Sequence, residues 1–119
     1  MDKVLLVTGG SRGIGAASCR LAARQGWAVA VNYTANSLAA DAVVREIRAT
    51  GGRAMAVQAD VADEAQVMRM FEQVDAKLGR LTGLVNNAGV VDVTARVEDM
   101  SVARWKRIFD INVIGSLIC

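Results

Sequence analysis

The chain contains no histidine and no proline. Without histidine this stretch can hold neither a His-ligated metal nor a Ser/His/Asp or Cys/His triad, and no metal site is expected. Without proline, nothing removes a backbone donor from its helices and strands. Cysteine is scarce: Cys19 and Cys119 lie far apart and form no CxxC pair. They read as reduced thiols, with Cys19 a small buried hydrophobe inside an expected helix. Aromatics make up only 4% of the residues, so the core has to come from Val, Ala, Ile and Leu, which suits a sheet covered by helices. A charge excess of one sign is missing too. The 14 Lys and Arg residues face 12 Asp and Glu, which leaves no basic footprint for nucleic acid. No apolar run approaches the roughly 18 residues of a membrane span, so no membrane partner is expected. The first ten residues hold one lysine and a short apolar-leaning run, not the apolar core and cleavage site of a secretory signal. A cytoplasmic protein is the expectation.

What is present alternates between two patterns. Residues 4–8 read as a strand running into Gly9-Gly10. Residues 13–25 suit a helix closed by Gly26, and residues 28–33 form a second strand. Asn36 or Ser37 can cap a second helix, with Ala40, Val43, Val44 and Ile47 inward and Gly51 as its stop. Residues 53–58 form a third strand. Asp63 and Gln66 make a capping-box pair for a third helix, whose stripe is Val67, Met70, Phe71, Val74 and Leu78. Residues 81–86 are a fourth strand, and Ser101 opens a last helix still running at residue 119.

This β-α-β-α-β-α-β-α order implies right-handed crossovers and a parallel sheet with helices on both faces. The expected fold is α/β: a doubly wound, three-layer Rossmann sheet, incomplete at the C-terminus. Residues 1–119 read as a single domain without linker or repeat, and as a fragment of a longer chain. A sheet ending at the fourth strand leaves an unpaired edge. The segment alone is therefore expected to be unstable or to associate.

The sharpest feature is Thr8-Gly9-Gly10-Ser11-Arg12-Gly13-Ile14-Gly15, between the first strand and the first helix. A Rossmann fold places a pyrophosphate here, on free N–H groups and the positive end of the helix. Gly9 allows the tight turn, Gly13 lets the backbone approach phosphates, and Gly15 lets helix and strand pack closely. A glycine cluster alone is weak, since turns use glycine anyway. The strand before it and the helix after it strengthen the reading.

In this setting Thr8-Gly9-x3-Gly13-x-Gly15 resembles the glycine motif of the short-chain dehydrogenases/reductases. Asp60-Val61 after the third strand resembles that family's adenine-contacting pair, Asn86-Asn87-Ala88-Gly89 its Asn-Asn-Ala-Gly motif, and Asn112 its helical asparagine. The four motifs stand in the family's order over nearly the whole chain. The resemblance implies a nicotinamide cofactor bound by Gly9, Gly10, Ser11, Arg12, Gly13, Ile14 and Gly15. It places Asn32, Tyr33 and Thr34 beside the adenosine ribose. Asp60 would accept from the adenine amino group and Val61 would pack on the ring, although an aspartate there can equally be a turn carboxylate. Asn87, Ala88 and Gly89 would line the ribose and nicotinamide side, with Asn86 bracing the strand end. The substrate would be a small carbonyl or alcohol, and homotetramers are common among such proteins.

The cofactor choice turns on the end of the second strand, where NAD-specific sites place a carboxylate for the ribose 2′-OH. Here it reads Asn32-Tyr33-Thr34, and the next acid is Asp41, inside the following helix. Arg12 can meet a 2′-phosphate instead, or be a solvated loop residue. NADP(H) is the expectation, in the pattern of 3-oxoacyl-ACP-reductase-like members.

Asn112 falls on one stripe with Trp105 and Ile108, beside Phe109. An inward amide has to find partners. It is either a structural core amide or, as the resemblance implies, the catalytic residue that holds a water in a proton relay with Ser, Tyr and Lys. Those partners are missing: Tyr33 is the only tyrosine, and no lysine stands four after it. The segment alone is expected to be inactive. An NADP-dependent oxidoreductase is expected for the parent protein, the alternative being a non-catalytic NADP-binding or structural module.

Overall fold

A computed structural model describes residues 2–119. Four parallel strands, β1 (Val4–Val7), β2 (Ala28–Tyr33), β3 (Ala54–Gln58) and β4 (Gly83–Val85), lie in the order β3-β2-β1-β4. Helices α1 (Gly13–Arg24), α2 (Ser37–Ala49) and α3 (Glu64–Lys77) join them. After β4 come a 3₁₀ turn (Val97–Asp99), α4 (Val102–Phe109), a π turn (Asp110–Ile114) and α5 (Gly115–Ile118). This is the expected doubly wound layering.

The Val-Leu-Leu-Val of β1 shows why the central strands carry no polar alternation. Val4 and Leu6 enter one core with α3 and Ile111, while Leu5 and Val7 enter the other with α1 and α2. Both faces are covered, so every position is apolar. The inward stripe of α2 is the expected one, Ala40, Val43, Val44 and Ile47. Asn36 is its cap, accepting from the Ala39 N–H at 3.1 Å. The α3 stripe buries Val67, Met70, Val74 and Leu78, with Phe71 only half-buried. Burial pushes the Cys19 thiol up to about 12, as befits the buried hydrophobe expected there.

Three expectations need correction. The expected fourth strand over residues 81–86 shrinks to Gly83–Val85, which pairs only with β1. The capping box at α3 is half of one. Asp63 accepts from the Gln66 N–H at 3.1 Å, but Gln66 Oε1 accepts from the Asp60 N–H at 2.8 Å rather than that of Asp63. The third concerns the last helix. Of its expected inward face, Trp105, Phe109 and Asn112 are exposed and Ile108 is half-buried, while Ile111 and Gly115 are buried. The π turn at Asp110–Ile114 adds a residue to the helical ladder, which breaks the 3.6-residue periodicity between Ile108 and Asn112.

The chain leaves β1 for β2 and β3 on one side and returns to β4 on the other. The order therefore reverses at β1. The carboxyl ends of β1 and β4 part there and open a crevice, the usual ligand position in such sheets.

Candidate functional site

A cleft of about 480 Å³ occupies this switch point. Its floor is the β1–α1 turn. Gly9 and Gly13 have φ of +61° and +59°, the left-handed region that glycine enters freely. A side chain on Gly13 would meet nothing within 4 Å, so backbone is presented to open space. Gly15 is the opposite: a Cβ there would lie 2.4 Å from the Gly9 carbonyl oxygen and 2.5 Å from Asn87 Nδ2. It gives close helix–strand packing, as expected.

The turn is held from below. Thr8, 1% exposed, accepts at Oγ1 from the Asn87 and Ala88 N–H groups, both at 3.0 Å. Asn87 Nδ2 donates to the carbonyls of Thr8 (3.1 Å) and Gly9 (3.0 Å). Asn86 Nδ2 donates to the Ser116 carbonyl at 3.2 Å, bracing the end of β4 as expected. Thr8 is a residue that sequence reasoning passed over, reading it only as the first letter of the motif. A buried polar side chain at a strand end is the signal that marks it.

Gly9, Ser11, Arg12 and Gly13 line the cleft, as do Tyr33 and Thr34, Asp60 and Val61, and Asn87, Ala88 and Gly89. Four of the residues expected to bind the cofactor do not, nor does Asn112. Asn32 is 1% exposed. Its Oδ1 accepts from the Gly9 N–H at 3.0 Å, and its Nδ2 faces the Val57 and Ala59 carbonyls at 3.3 and 3.2 Å. It ties the glycine turn to the end of β3 and lies buried behind the cleft lining. Gly10 packs inward, where a Cβ would come within 3.0 Å of Cys19 Sγ. Gly15 lies beneath the turn, and Ile14 is 80% exposed, outside the cleft wall.

Val61 is 5% exposed and packs where a Cβ on Gly115 would touch it at 2.7 Å, while still lining the cleft. Asp60 makes the turn contact anticipated as its alternative, Oδ1 accepting from the Ala62 N–H at 3.0 Å. Its Oδ2 lies 3.5 Å from Arg107 Nη1. Arg107, also on the cleft wall, was invisible to sequence reading, because only the placement of α4 brings it to Asp60.

Asn112 is exposed, not buried, yet both ends of its amide are engaged. Oδ1 accepts from the Val90 N–H at 2.7 Å and Nδ2 donates to the Val90 carbonyl at 2.9 Å. This two-point grip holds the backbone after Gly89. Arg104 adds a second hold. Its Nε lies 2.6 Å from Asp92 Oδ2, at an angle outside hydrogen-bond geometry, and its Nη2 donates to the Val93 carbonyl.

Asp60 is the one acid among the residues lining the cleft, against Arg12 and Arg107. An open glycine turn at a helix N-terminus, with two cations on the wall, fits an anionic dinucleotide. Among the described residues no cluster could hold a metal ion, and no helix is long and apolar enough to cross a membrane.

A profile of the short chain dehydrogenase family matches residues 3–119. The chain is 47% identical over 116 residues to an uncharacterized oxidoreductase of Methylorubrum extorquens, covering 98% of this chain and 46% of that one. It is 44% identical over 117 residues to a 3-oxoacyl-[acyl-carrier-protein] reductase of Synechocystis, covering 98% and 47%. A short chain dehydrogenase from Burkholderia cenocepacia, solved in complex with NADP, superposes with a TM-score of 0.92 at 40% identity, covering 98% and 47%. The chain spans about half the length of the curated relatives it matches. Motifs, sheet order and these matches agree: the chain belongs to the short chain dehydrogenase family.

Proposed function

We propose that the full protein is an NADP(H)-dependent oxidoreductase. It would move hydride between the nicotinamide and the carbonyl or alcohol carbon of a small substrate, with residues 1–119 furnishing the cofactor cleft as one domain. The observation that carries this is the wall of the cleft. Arg12 stands with Tyr33 and Thr34 at the end of β2, and no acid lines that end. A 2′-phosphate would find a cation there and no repelling carboxylate. The NADP in the Burkholderia relative supports the choice.

The bound cofactor supplies the hydride chemistry. The residues of this chain hold and orient it. N–H groups at the head of α1, with the positive end of that helix, attract the diphosphate. Asp60 keeps lone pairs for the adenine amino group, and Tyr33 and Thr34 border the adenosine ribose. Asn87, Ala88 and Gly89 border the ribose and nicotinamide side. Asn112, through its grip on Val90, fixes the backbone at that side and stands where the family's proton relay begins. The Ser, Tyr and Lys that complete that relay are not in residues 1–119, so this stretch alone turns over no substrate. The reading includes a homotetramer in the cytoplasm.

The test is binding of NADPH and NADH to the full-length protein, before and after Arg12→Ala. The substitution should weaken NADPH about tenfold, the effect of one well-placed charge contact after screening, and leave NADH nearly unchanged. An unchanged preference would sink the NADP assignment.

A further inference from the structure

Arg107 has no role in the reading above, yet it stands on the cleft wall beside Asp60. The rest of Asp60 is already held. Its N–H donates to Gln66 Oε1 at 2.8 Å and its Oδ1 accepts from Ala62 at 3.0 Å. Only Oδ2 is unfixed by its own loop, and Arg107 Nη1, from α4, faces it at 3.5 Å. The surroundings are acidic. Asp63, Glu64 and Asp110 share a surface hollow with Asp60, and Arg107 is the sole cation lining it. Without that guanidinium the charged groups lining the hollow would all be acids, with nothing drawing Oδ2 towards α4.

We infer that Arg107 is a positioning residue for adenine recognition: its charge draws Asp60 Oδ2 towards α4 so that the free lone pairs of the carboxylate meet the adenine amino group. This rests on the cofactor reading above. At 3.5 Å and without a hydrogen bond, the guanidinium acts on the carboxylate through its charge. The pair is partly exposed, with side chains 61% and 23% accessible, so its effect is modest and sensitive to salt.

The readout is discrimination at the base. NADPH is compared with its hypoxanthine analogue, in which an oxygen replaces the amino group that Asp60 would receive. The full-length wild type should bind the adenine form about tenfold more tightly, the scale of a hydrogen bond to a charged acceptor. Asp60→Asn should abolish most of that ratio. Arg107→Gln should reduce it about threefold to fivefold, Arg107→Lys should restore part of it, and adding Arg107→Gln to Asp60→Asn should change it no further. Raising the salt concentration should shrink the wild-type ratio and leave that of Arg107→Gln flat, which keeps the test alive if one variant folds poorly. A wild-type ratio retained in Arg107→Gln overturns the inference, even if both affinities fall, since Arg107 would then serve a phosphate or the fold. A wild type that binds NADPH without discriminating overturns it while the cofactor reading stands. A wild type that binds neither dinucleotide overturns both.

Discussion

The two walls of the cleft are built differently. The glycine turn rests on buried Thr8 and Asn32 and on Asn87, whose hydrogen bonds run to strand ends and to the turn itself. The segment after Gly89 is exposed. Val91 and Val93 are 98% and 77% accessible, and it is held chiefly by Asn112 and Arg104 reaching over from the last helix. The first wall is set by groups buried in the sheet, the second by two side chains at the surface. A cofactor cradle benefits from the first arrangement, because preorganised donors lose little on binding.

Breaking the buried wall should cost most. Gly15→Ala drives a methyl group into the Gly9 carbonyl and the Asn87 amide. Overpacking of that kind costs about 1–3 kcal/mol, and thermal unfolding together with NADPH titration should show both lower stability and a loss of binding beyond tenfold. Thr8→Val keeps the shape but leaves the Asn87 and Ala88 N–H groups without their acceptor. The expected loss is about 1–3 kcal/mol, read by chemical denaturation.

The exposed wall should yield smaller effects on stability. Asn112→Ala removes both bonds to Val90. It should cost about 1 kcal/mol, while hydrogen exchange at the Val90 amide accelerates and, on the proposed function, turnover by the full-length protein falls. An unchanged Val90 exchange rate would mean that the grip does not hold the segment. Arg104→Ala should move stability by less than about 1 kcal/mol, with any consequence confined to substrate KM.

The last effect is one of pH, and it grows as the pH rises. The Cys19 thiol is held near 12, against 9.0 for a free one, first by burial. Between about pH 9 and 12 the unfolded thiol ionises while the folded one does not. Stability should therefore fall across that window and lose this dependence in Cys19→Ala. Native Cys19 should also resist thiol reagents at pH 8.

The buried wall was also the more legible one in the sequence. The glycine spacing, the strand before it and the helix after it are local, so their roles follow from neighbours along the chain. The α2 stripe and its Asn36 cap were legible for the same reason. Asn32 was misplaced because its partners, Gly9 and the carbonyls of Val57 and Ala59, meet it only when three strands pair. Asn112 was misplaced because a π turn shifts the helix face, and periodicity assumes there is none. Arg107 escaped notice because its partner lies on a different element, after β3.

The central claim is that the glycine turn and the residues facing it form a cofactor cleft. Hydrogen exchange of the full-length protein with and without NADPH tests it most directly. Protection should gather at residues 9–15, 33–36, 60–61 and 87–90. NADPH binding that protects other segments and leaves these unchanged would contradict it.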